Sequence, residues 1–426
     1  MKTNKYFKKL DKNIVTIGNC MQLIYKNIAR HDGRQLYLAT KREQEQKQKI
    51  ETAAPFYRRP YKLPALNEII SRHVRFAAID TQPFVNAIDV VFTENRIPWK
   101  LEDITQGPSI TQVKVSLGGF KYYDKVMRLE KQFQAAMNIP GIRVSQSGSY
   151  VSIEIPYEID TLKLGDILQD EKYAAGKGLT VAIGRAIDGD YVLADIDKLK
   201  HVLVAGASGS GKSVFIQGLI ISLLGKHTPD DIDLFMIDPK MVEFSFYKPL
   251  AQCHVVTETR DAINLLDRLT KLMDNRYKVL AEAGCRDIES YNEKFSDKKM
   301  KRIVLFIDEL ADLIKTTKKA VEDSIVRIAQ KARACGIHLV IATQYPVADV
   351  VTGLIKQNMP TKVCFAVTTP TASCVMLGKG GAEKLIGKGD MLYQTEKDIN
   401  PIRLQGGLVT ERDINNVVYE LYQNQI

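Results

Sequence analysis

The sequence lacks the features of membrane-spanning and secreted proteins. No stretch approaches the roughly 18 consecutive apolar residues of a membrane helix, and the basic N-terminus has no apolar segment like that of a signal peptide. The six cysteines form no C-x-x-C pair and have no histidine nearby at metal-ligand spacing. We therefore expect a cytoplasmic protein with reduced cysteines and no membrane span of its own.

Acidic residues are scarce at the N-terminus, where nearly all of the excess positive charge lies. Residues 1–60 hold 14 Lys or Arg against five Asp or Glu, whereas the whole chain has a formal net charge of +10. The segment "ATKREQEQKQKIE" is rich in helix formers but has almost no apolar face. We expect a basic, partly helical arm over residues 1–67, which could bind nucleic acid or an anionic membrane surface, or be a solvated tail.

The pattern of residues 68–173 predicts a small α+β domain. Helical spacing in "PFVNAIDVVFTENRI" is followed by alternation in "ITQVKVSL", by a second helical stripe in "YDKVMRLEKQFQAAMN", and by two strands around Gly148. The predicted order is helix, strand, helix, strand, strand.

Residues 174–426 have the pattern of a larger α/β domain. A hairpin is expected to turn at Asp188 and Gly189, and apolar runs then alternate with helices: "HVLVA", "IDLFMID", "RIVLFID", "IHLVIATQ" and "KVCFAV". Continuous apolar runs of this kind are typical of strands covered on both faces. The segment therefore predicts a parallel sheet between helices.

A phosphate-binding loop follows the first of these strands. The sequence "GASGSGKS" satisfies G-x-x-x-x-G-K-[ST] between a strand and a helix, which is the context this motif requires. The glycines let backbone N–H groups surround phosphates, while the lysine reaches the β- and γ-phosphates of ATP and the last serine binds Mg²⁺. The predicted nucleotide-binding residues are Gly206, Ala207, Ser208, Gly209, Ser210, Gly211, Lys212 and Ser213.

Polar residues end three other strands. Asp308 and Glu309 close "RIVLFIDEL", where Asp308 is expected to hold Mg²⁺ through water and Glu309 to orient and deprotonate the attacking water. A helix cap is the other use of such an acidic pair. Thr343 and Gln344 end "IHLVIATQ", and Gln344 could contact the γ-phosphate or be a simple polar strand end. "IDLFMIDPK" places Asp238 and Lys240 at the same sheet edge, with roles left open.

These motifs, in this order, resemble the FtsK/SpoIIIE family of DNA translocases, a branch of the RecA-like P-loop NTPases. The resemblance covers about residues 105–410 and includes the blocks "MIDPKMVEFSFY", "VLFIDELADL", "AQKARACGIHLVIATQ" and "GGAEKLIGKGDMLY". It implies a RecA-like motor preceded by a small α+β domain. It also implies a hexameric ring around double-stranded DNA, with ATP and Mg²⁺ at each subunit interface and an arginine supplied in trans. Arg333 is the candidate for that arginine and Arg327 the second, although a surface salt bridge would explain either residue.

The chain departs from the family pattern at two places. It reads "TQYP" where the family commonly reads T-Q-R-P, so Tyr345 occupies the arginine position. It also reads "ASCVMLG" where the family reads D-S-R-T-I-L-D, with Cys374 and Gly378. These differences affect the expected subunit coupling and leave the ATP-site residues intact.

The biological role is predicted from two features of other family members that this sequence does not show. The sequence shows no membrane-spanning N-terminus and no C-terminal winged-helix module, so it resembles compact members of plasmids, integrative elements and phages that transfer or process DNA. Recruitment by a membrane or mobile-element protein is left open. Two alternative functions are also left open: a protein-secretion ATPase, and an ATP-switched replication or partition factor. Four loop lysines could face DNA or be solvated surface: Lys356, Lys379, Lys384 and Lys388.

Overall fold

The computed structural model describes residues 63–425, apart from 65, 72–78, 108 and 158–161. The chain divides into two units, Met1–Arg58 and Arg59–Ile426, and every described residue belongs to the second. The predicted basic arm therefore lies almost entirely outside the described residues. Among the helices of the described part, none is both long and apolar enough to cross a membrane.

A small antiparallel sheet forms the first layer of the described chain. Its strands run in the order β1-β2-β4-β3, with bounds β1 Trp99–Gln106, β2 Ile110–Leu117, β3 Arg143–Ser147 and β4 Tyr150–Pro156. Helix α1 Leu66–Ile69 comes first along the chain and packs into the core of the larger sheet, whereas α2 Gln82–Glu94, α3 Tyr123–Val126 and α4 Glu130–Met137 belong to the small sheet. Phe92 of α2 and Phe133 of α4 meet edge to face, with ring centroids 5.5 Å apart, over the buried face of the sheet.

Two details differ from the sequence prediction. Strand β1 was not predicted, because "WKLEDITQ" is mostly polar and most of its side chains face solvent. The helix predicted over "YDKVMRLEKQFQAAMN" is interrupted after Val126, where Leu129 N bonds to the Val126 carbonyl and α4 begins at Glu130.

A mixed sheet of ten strands forms the larger layer. Its order is β6-β5-β14-β13-β12-β7-β11-β10-β8-β9, and the six strands from β12 to β9 are parallel. The bounds are β5 Thr180–Ala186, β6 Tyr191–Asp195, β7 Val202–Ala205, β8 Ile232–Ile237, β9 Cys253–Val256, β10 Arg302–Ile307, β11 Ile337–Thr343, β12 Thr361–Phe365, β13 Asp390–Gln394 and β14 Ile402–Gln405. The predicted α/β fold with a parallel sheet is confirmed, and four antiparallel strands extend it at one side.

Helices cover both faces of this sheet. They are α5 Leu164–Leu168, α6 Glu171–Ala175, α7 Ile196–Leu199, α8 Lys212–Leu224, α9 Thr259–Glu282, α10 Ile288–Lys294, α11 Leu310–Lys331, α12 Gly353–Asn358, α13 Pro370–Leu377 and α14 Glu411–Gln425. Alternate residues of β7 enter different cores. Val202 and Val204 pack with α8, whereas Leu203 and Ala205 pack on the α9 and α11 side. Because strands buried on both faces must be apolar throughout, the continuous runs in the sequence follow from this architecture.

The parallel register brings four strand ends to one edge. Ala205 pairs with Thr343, and Ile307 pairs with both Ile341 and Ile237. The segments that follow β7, β8, β10 and β11 therefore emerge side by side. In sheets of this type, ligands bind at that edge.

A buried charge network ties the small sheet to the large one. Arg403 of β14 donates to both carboxylate oxygens of Asp390 on β13, at 2.9 and 2.7 Å, and to Glu154 of β4 at 2.8 Å. Burial opposes the charge of Arg403, but the two carboxylates outweigh it and raise the pKa of the guanidinium. The small sheet is thus anchored on the strands that also border the candidate site.

Candidate nucleotide-binding site

The segment between β7 and α8 forms a tight loop whose shape depends on glycine. Gly209 and Gly211 have φ of 74° and 107°, a region that favours glycine. A Cβ at Gly206 would lie 2.4 Å from Ser210 Oγ, and one at Gly211 would lie 2.5 Å from Gly389 N. Close packing therefore excludes a larger side chain at Gly206 and Gly211, the two glycines that the motif requires.

A cavity of about 440 Å³ opens over this loop. One wall is the loop and the start of α8, and the other wall comes from the β13 and β14 region. Six predicted residues line the cavity: Ala207, Ser208, Gly209, Gly211, Lys212 and Ser213. Gly206 and Ser210 lie outside this lining, and the buried Ser210 Oγ has no hydrogen-bond partner among the described residues.

Lys212 is held by Asp308 across the sheet edge. Lys212 Nζ lies 3.0 Å from Asp308 Oδ1 and donates to the Asp308 carbonyl at 2.9 Å, and both side chains are about 3% exposed. A buried lysine needs such a partner in the absence of another anion. The structure thus brings the lysine of the loop and the first strand-end carboxylate together.

Glu309 is completely buried and fully engaged. Its Oε1 accepts the Thr343 hydroxyl at 2.6 Å, and the Gln344 backbone N–H lies 3.2 and 3.1 Å from its two oxygens. It also caps α11 by accepting from Ala311 N at 3.4 Å. The helix cap weighed from sequence is therefore present, and it is compatible with a further role for the carboxylate.

Residues after β8 border the same region. Lys240 Nζ lies 3.8 Å from Glu309 Oε2 and 3.9 Å from Asp312 Oδ2. Asp238 is buried, with Oδ2 accepting from Phe244 N at 3.0 Å and Oδ1 without a partner among the described residues. Lys240 thus lies within ion-pair distance of Glu309.

The residues present fit ATP with Mg²⁺. The orphaned Ser210 hydroxyl, the glycine-shaped loop and the start of α8 form a lining suited to phosphate. Ser213 and Asp308 supply the hydroxyl and carboxylate oxygens that Mg²⁺ prefers. Within the described ranges, no cluster of three His, Cys, Asp or Glu could hold a metal by itself. An Mg²⁺ ion at this site would take its remaining ligands from phosphate oxygens and water.

Arg333 lies away from the cavity of its own chain. It follows α11 and precedes β11, at the opposite edge of the sheet from the phosphate loop, and its Nε donates to the Asp197 carbonyl at 3.3 Å. Arg327 of α11 contacts Asp274 Oδ2 at 2.7 Å. Both residues are exposed, so their predicted use by a neighbouring subunit stays a prediction.

The second cavity wall was not predicted. Lys388, Gly389, Gly406, Gly407 and Leu408 line it, and Gly389 N donates to Ser210 O of the phosphate loop at 2.9 Å. The glycine-flanked "IGKGD" and "QGGL" are the only sequence signals for this wall.

Of the four lysines predicted to lie in loops, Lys356 lies in helix α12 instead, and the other three occupy different surroundings. Lys388 borders the nucleotide cavity, Lys384 bonds Glu130 at 2.6 Å, and Lys379 bonds Asn400 at 2.5 Å. Lys384 and Lys379 therefore serve packing between the two sheets or local structure in this chain.

Sequence profiles identify the family. The profile of the FtsK/SpoIIIE family matches residues 163–348, and that of the FtsK alpha domain matches residues 69–157. The chain belongs to the FtsK/SpoIIIE family. The phosphate loop, Asp308, Glu309 and Gln344 lie within the first match, whereas the β13 and β14 wall lies beyond it.

Individual proteins agree with this assignment. The chain is 40% identical over 332 residues to a protein named DNA translocase FtsK from Caldanaerobacter subterraneus subsp. tengcongensis, covering 76% of this chain and 47% of that protein. The chain spans about half the length of the curated relatives it matches.

Solved structures share the fold. The pCW3 conjugation coupling protein TcpA, in a monomer form with ATPgS, superposes with a TM-score of 0.57 at 27% identity, covering 79% of this chain and 99% of that one. The cytoplasmic domain of the type VII secretion ATPase EccC from Thermomonospora curvata has a TM-score of 0.54 at 21% identity, covering 62% of this chain and 34% of that one. The second likeness concerns the fold alone.

Proposed function

We propose that this chain is an ATP-hydrolysing motor that moves double-stranded DNA. The observation that carries the proposal is the joined site: Lys212 and Asp308 in contact at 3.0 Å, Glu309 one residue further, and Gln344 at the cavity wall, all within a chain of the FtsK/SpoIIIE family. Related proteins named DNA translocase FtsK support DNA as the substrate.

Each residue has a chemical role in this proposal. Lys212 leaves Asp308 to bind the β- and γ-phosphates, and Asp308 is then available, with Ser213, to hold Mg²⁺. Glu309 deprotonates the attacking water, and Gln344 contacts the γ-phosphate or that water. The magnesium ion supplies charge neutralisation at the phosphates when it is bound.

A homo-oligomeric ring, hexameric as in the resemblance, completes the proposal. Arg333 or Arg327 would then supply the positive charge in trans, since both side chains are exposed and belong to the described motor. Tyr345 occupies the position of a family arginine. Lys315 Nζ lies 5.7 Å from the centre of the Tyr345 ring. A neighbouring lysine thus supplies positive charge near that position.

The proposed cellular role is transfer or processing of plasmid, conjugative or phage DNA in the cytoplasm. Its support is the match to the pCW3 conjugation coupling protein, which the chain covers almost completely. A membrane or mobile-element protein would recruit the ring to its site of action.

The test is ATPase rate against added duplex DNA at low and higher salt. We expect strong stimulation that weakens with salt, because a motor that contacts phosphates releases counterions on binding. Lys212→Ala should show no hydrolysis, whereas Glu309→Gln should bind ATP and lose at least about 100-fold in rate, the usual contribution of a general base.

Two results would contradict the proposal. A rate indifferent to DNA would direct the search to polypeptide substrates. A Glu309→Gln protein with unaltered turnover would remove Glu309 from the reaction.

A further inference from the structure

In the described state, Glu309 does not reach the cavity in which the attacking water would lie. Its side chain is 0% exposed, and it is absent from the lining of the nucleotide cavity, which includes Gln344 and Lys212. A carboxylate that takes a proton from water must come within hydrogen-bonding distance of that water. In the described state, Glu309 is enclosed by protein groups instead.

Besides Ala311 N and Lys240 Nζ, two groups from a neighbouring strand end enclose Glu309. Thr343 at the end of β11 donates its hydroxyl to Oε1 at 2.6 Å, and Gln344 N–H approaches both oxygens, at 3.2 and 3.1 Å. Hydrogen bonds to a charged acceptor are stronger than neutral ones, especially where water is excluded. Turning Glu309 toward the cavity therefore requires these bonds to break.

Gln344 connects this arrangement to the nucleotide. Its backbone N–H bonds Glu309, and the same residue lines the cavity in which phosphates would bind. If engagement of a γ-phosphate by the Gln344 side chain displaces the Gln344 backbone, the bonds from that backbone to Glu309 weaken.

We propose that Thr343 is a positioning residue that holds Glu309 in a resting orientation until a γ-phosphate engages Gln344. The inference rests on the proposed ATP hydrolysis at this site and adds its regulation. Release of Glu309 costs free energy, and that cost lowers the affinity for ATP-like ligands but not for ADP, which has no γ-phosphate.

The experiment compares Thr343→Val, which keeps the shape and removes the hydroxyl, with Thr343→Ser, which keeps the hydroxyl. Affinities for ATPγS and ADP are measured with Mg²⁺ by titration calorimetry. We expect Thr343→Val to tighten ATPγS by about tenfold, the equivalent of one strong hydrogen bond, and to leave ADP unchanged. Thr343→Ser should keep the wild-type ratio of the two affinities.

Thr343 Oγ1 also accepts Tyr345 N at 3.1 Å, so the valine removes a second bond. A double-mutant cycle with Glu309→Ala separates the two. In the Glu309→Ala background, Thr343→Val should no longer tighten ATPγS. Thermal unfolding checks that each variant is folded, and Thr343→Ala replaces valine if the latter does not fold.

Hydrolysis gives an independent measurement. Thr343→Val should raise the rate without DNA several-fold, lower the KM for ATP in line with the tighter binding of ATPγS, and lower the ratio of DNA-stimulated to unstimulated rates. Unchanged relative affinities for ATPγS and ADP, or a lower unstimulated rate, would overturn the resting role of Thr343. A selective gain for ATPγS in a protein that DNA does not stimulate would support the resting role and reject the translocase proposal.

Discussion

At the scale of single residues, close packing restricts the phosphate loop more than phosphate binding alone would. The backbone of Gly389 lies so close to Gly211 that a side chain at Gly211 would clash with it. Gly389 N also donates to Ser210 O at 2.9 Å. The loop is therefore held in shape by a segment far along the chain. We therefore expect ligand binding at this loop to depend on that contact as well as on Lys212.

Gly211→Ala tests this dependence. Gly211 has φ of 107° and a Cβ would meet Gly389 N at 2.5 Å, whereas Gly284, with φ of 66°, has open space around it. Both alanines carry the strain of a left-handed backbone, about 1–2 kcal/mol. We expect both to lower the unfolding midpoint, but only Gly211→Ala to weaken nucleotide binding, by about tenfold or more. Equal nucleotide affinities for the two variants would show that the wall does not shape the loop.

At the scale of secondary-structure elements, β13 and β14 serve two partners. On one side they carry Asp390 and Arg403, which anchor Glu154 of the small sheet. Gly389, just before β13, and Gly406, just after β14, line the cavity. Gln405 joins the two functions, since it accepts from Ser109 Oγ at 2.9 Å and donates to the Lys388 carbonyl at 2.9 Å.

Arg403→Met tests the anchor. Removing the guanidinium leaves the carboxylates of Asp390 and Glu154 buried without it, and breaking a buried ion pair in this way costs about 3–5 kcal/mol. The matched control is Arg286→Met, whose ion pair with Asp287 is at the surface with the arginine 92% exposed. We expect the control to change the free energy of unfolding by less than about 1 kcal/mol in chemical denaturation. Similar losses in both variants would mean that the network contributes no more than a surface pair.

The sequence predicted the elements whose pattern is local. Strands β7, β8, β10, β11 and β12 were recognised because each is a continuous apolar run, and α9 because Leu266, Leu269 and Met273 recur at helical spacing. Strands β1, β13 and β14 were missed because they are short or carry polar residues that face solvent or each other. Arg403 and Asp390 become core residues only when β13 and β14 pair.

The candidate site was likewise predicted only where its residues follow from a local sequence pattern. Lys212, Asp308 and Gln344 follow strands whose ends a parallel sheet places together. The engagement of Glu309 by Thr343 depends on side-chain orientation, and the second wall depends on pairing between distant segments. Neither follows from spacing in the sequence.

At the scale of the whole molecule, stability should depend on a buried histidine. His201 is 1% exposed between β7 and the strand β11, and its Nδ1 accepts from Leu339 N at 3.1 Å. Burial, with the nearby charges of His338, Lys200 and Arg333, lowers the pKa of His201 to about 3. The folded protein therefore keeps this imidazole neutral at pH values where the unfolded chain protonates it.

The sign of the effect follows from proton binding. Between the unfolded pKa of about 6.5 and the folded pKa, the unfolded state binds one more proton, so stability falls as the pH is lowered. From pH 7 to pH 5 the contribution of His201 should be a loss of about 2 kcal/mol. His201→Asn, which keeps an acceptor for Leu339 N, should lose less over the same range in denaturant titrations. Parallel curves for the two proteins would show that His201 does not titrate differently on unfolding.

The distant origin of the second cavity wall has a consequence during protein synthesis. The phosphate loop leaves the ribosome long before Gly389 and Gly406, which complete the cavity, have been made. Strand β5 likewise pairs with β14, which is synthesised near the end of the chain. Because chains are made from the N-terminus, a partly synthesised motor lacks this wall, and we expect ATP to stabilise it less than it stabilises the finished chain. The nascent chain would instead depend on chaperones to protect its apolar strands until the last part of the sheet emerges.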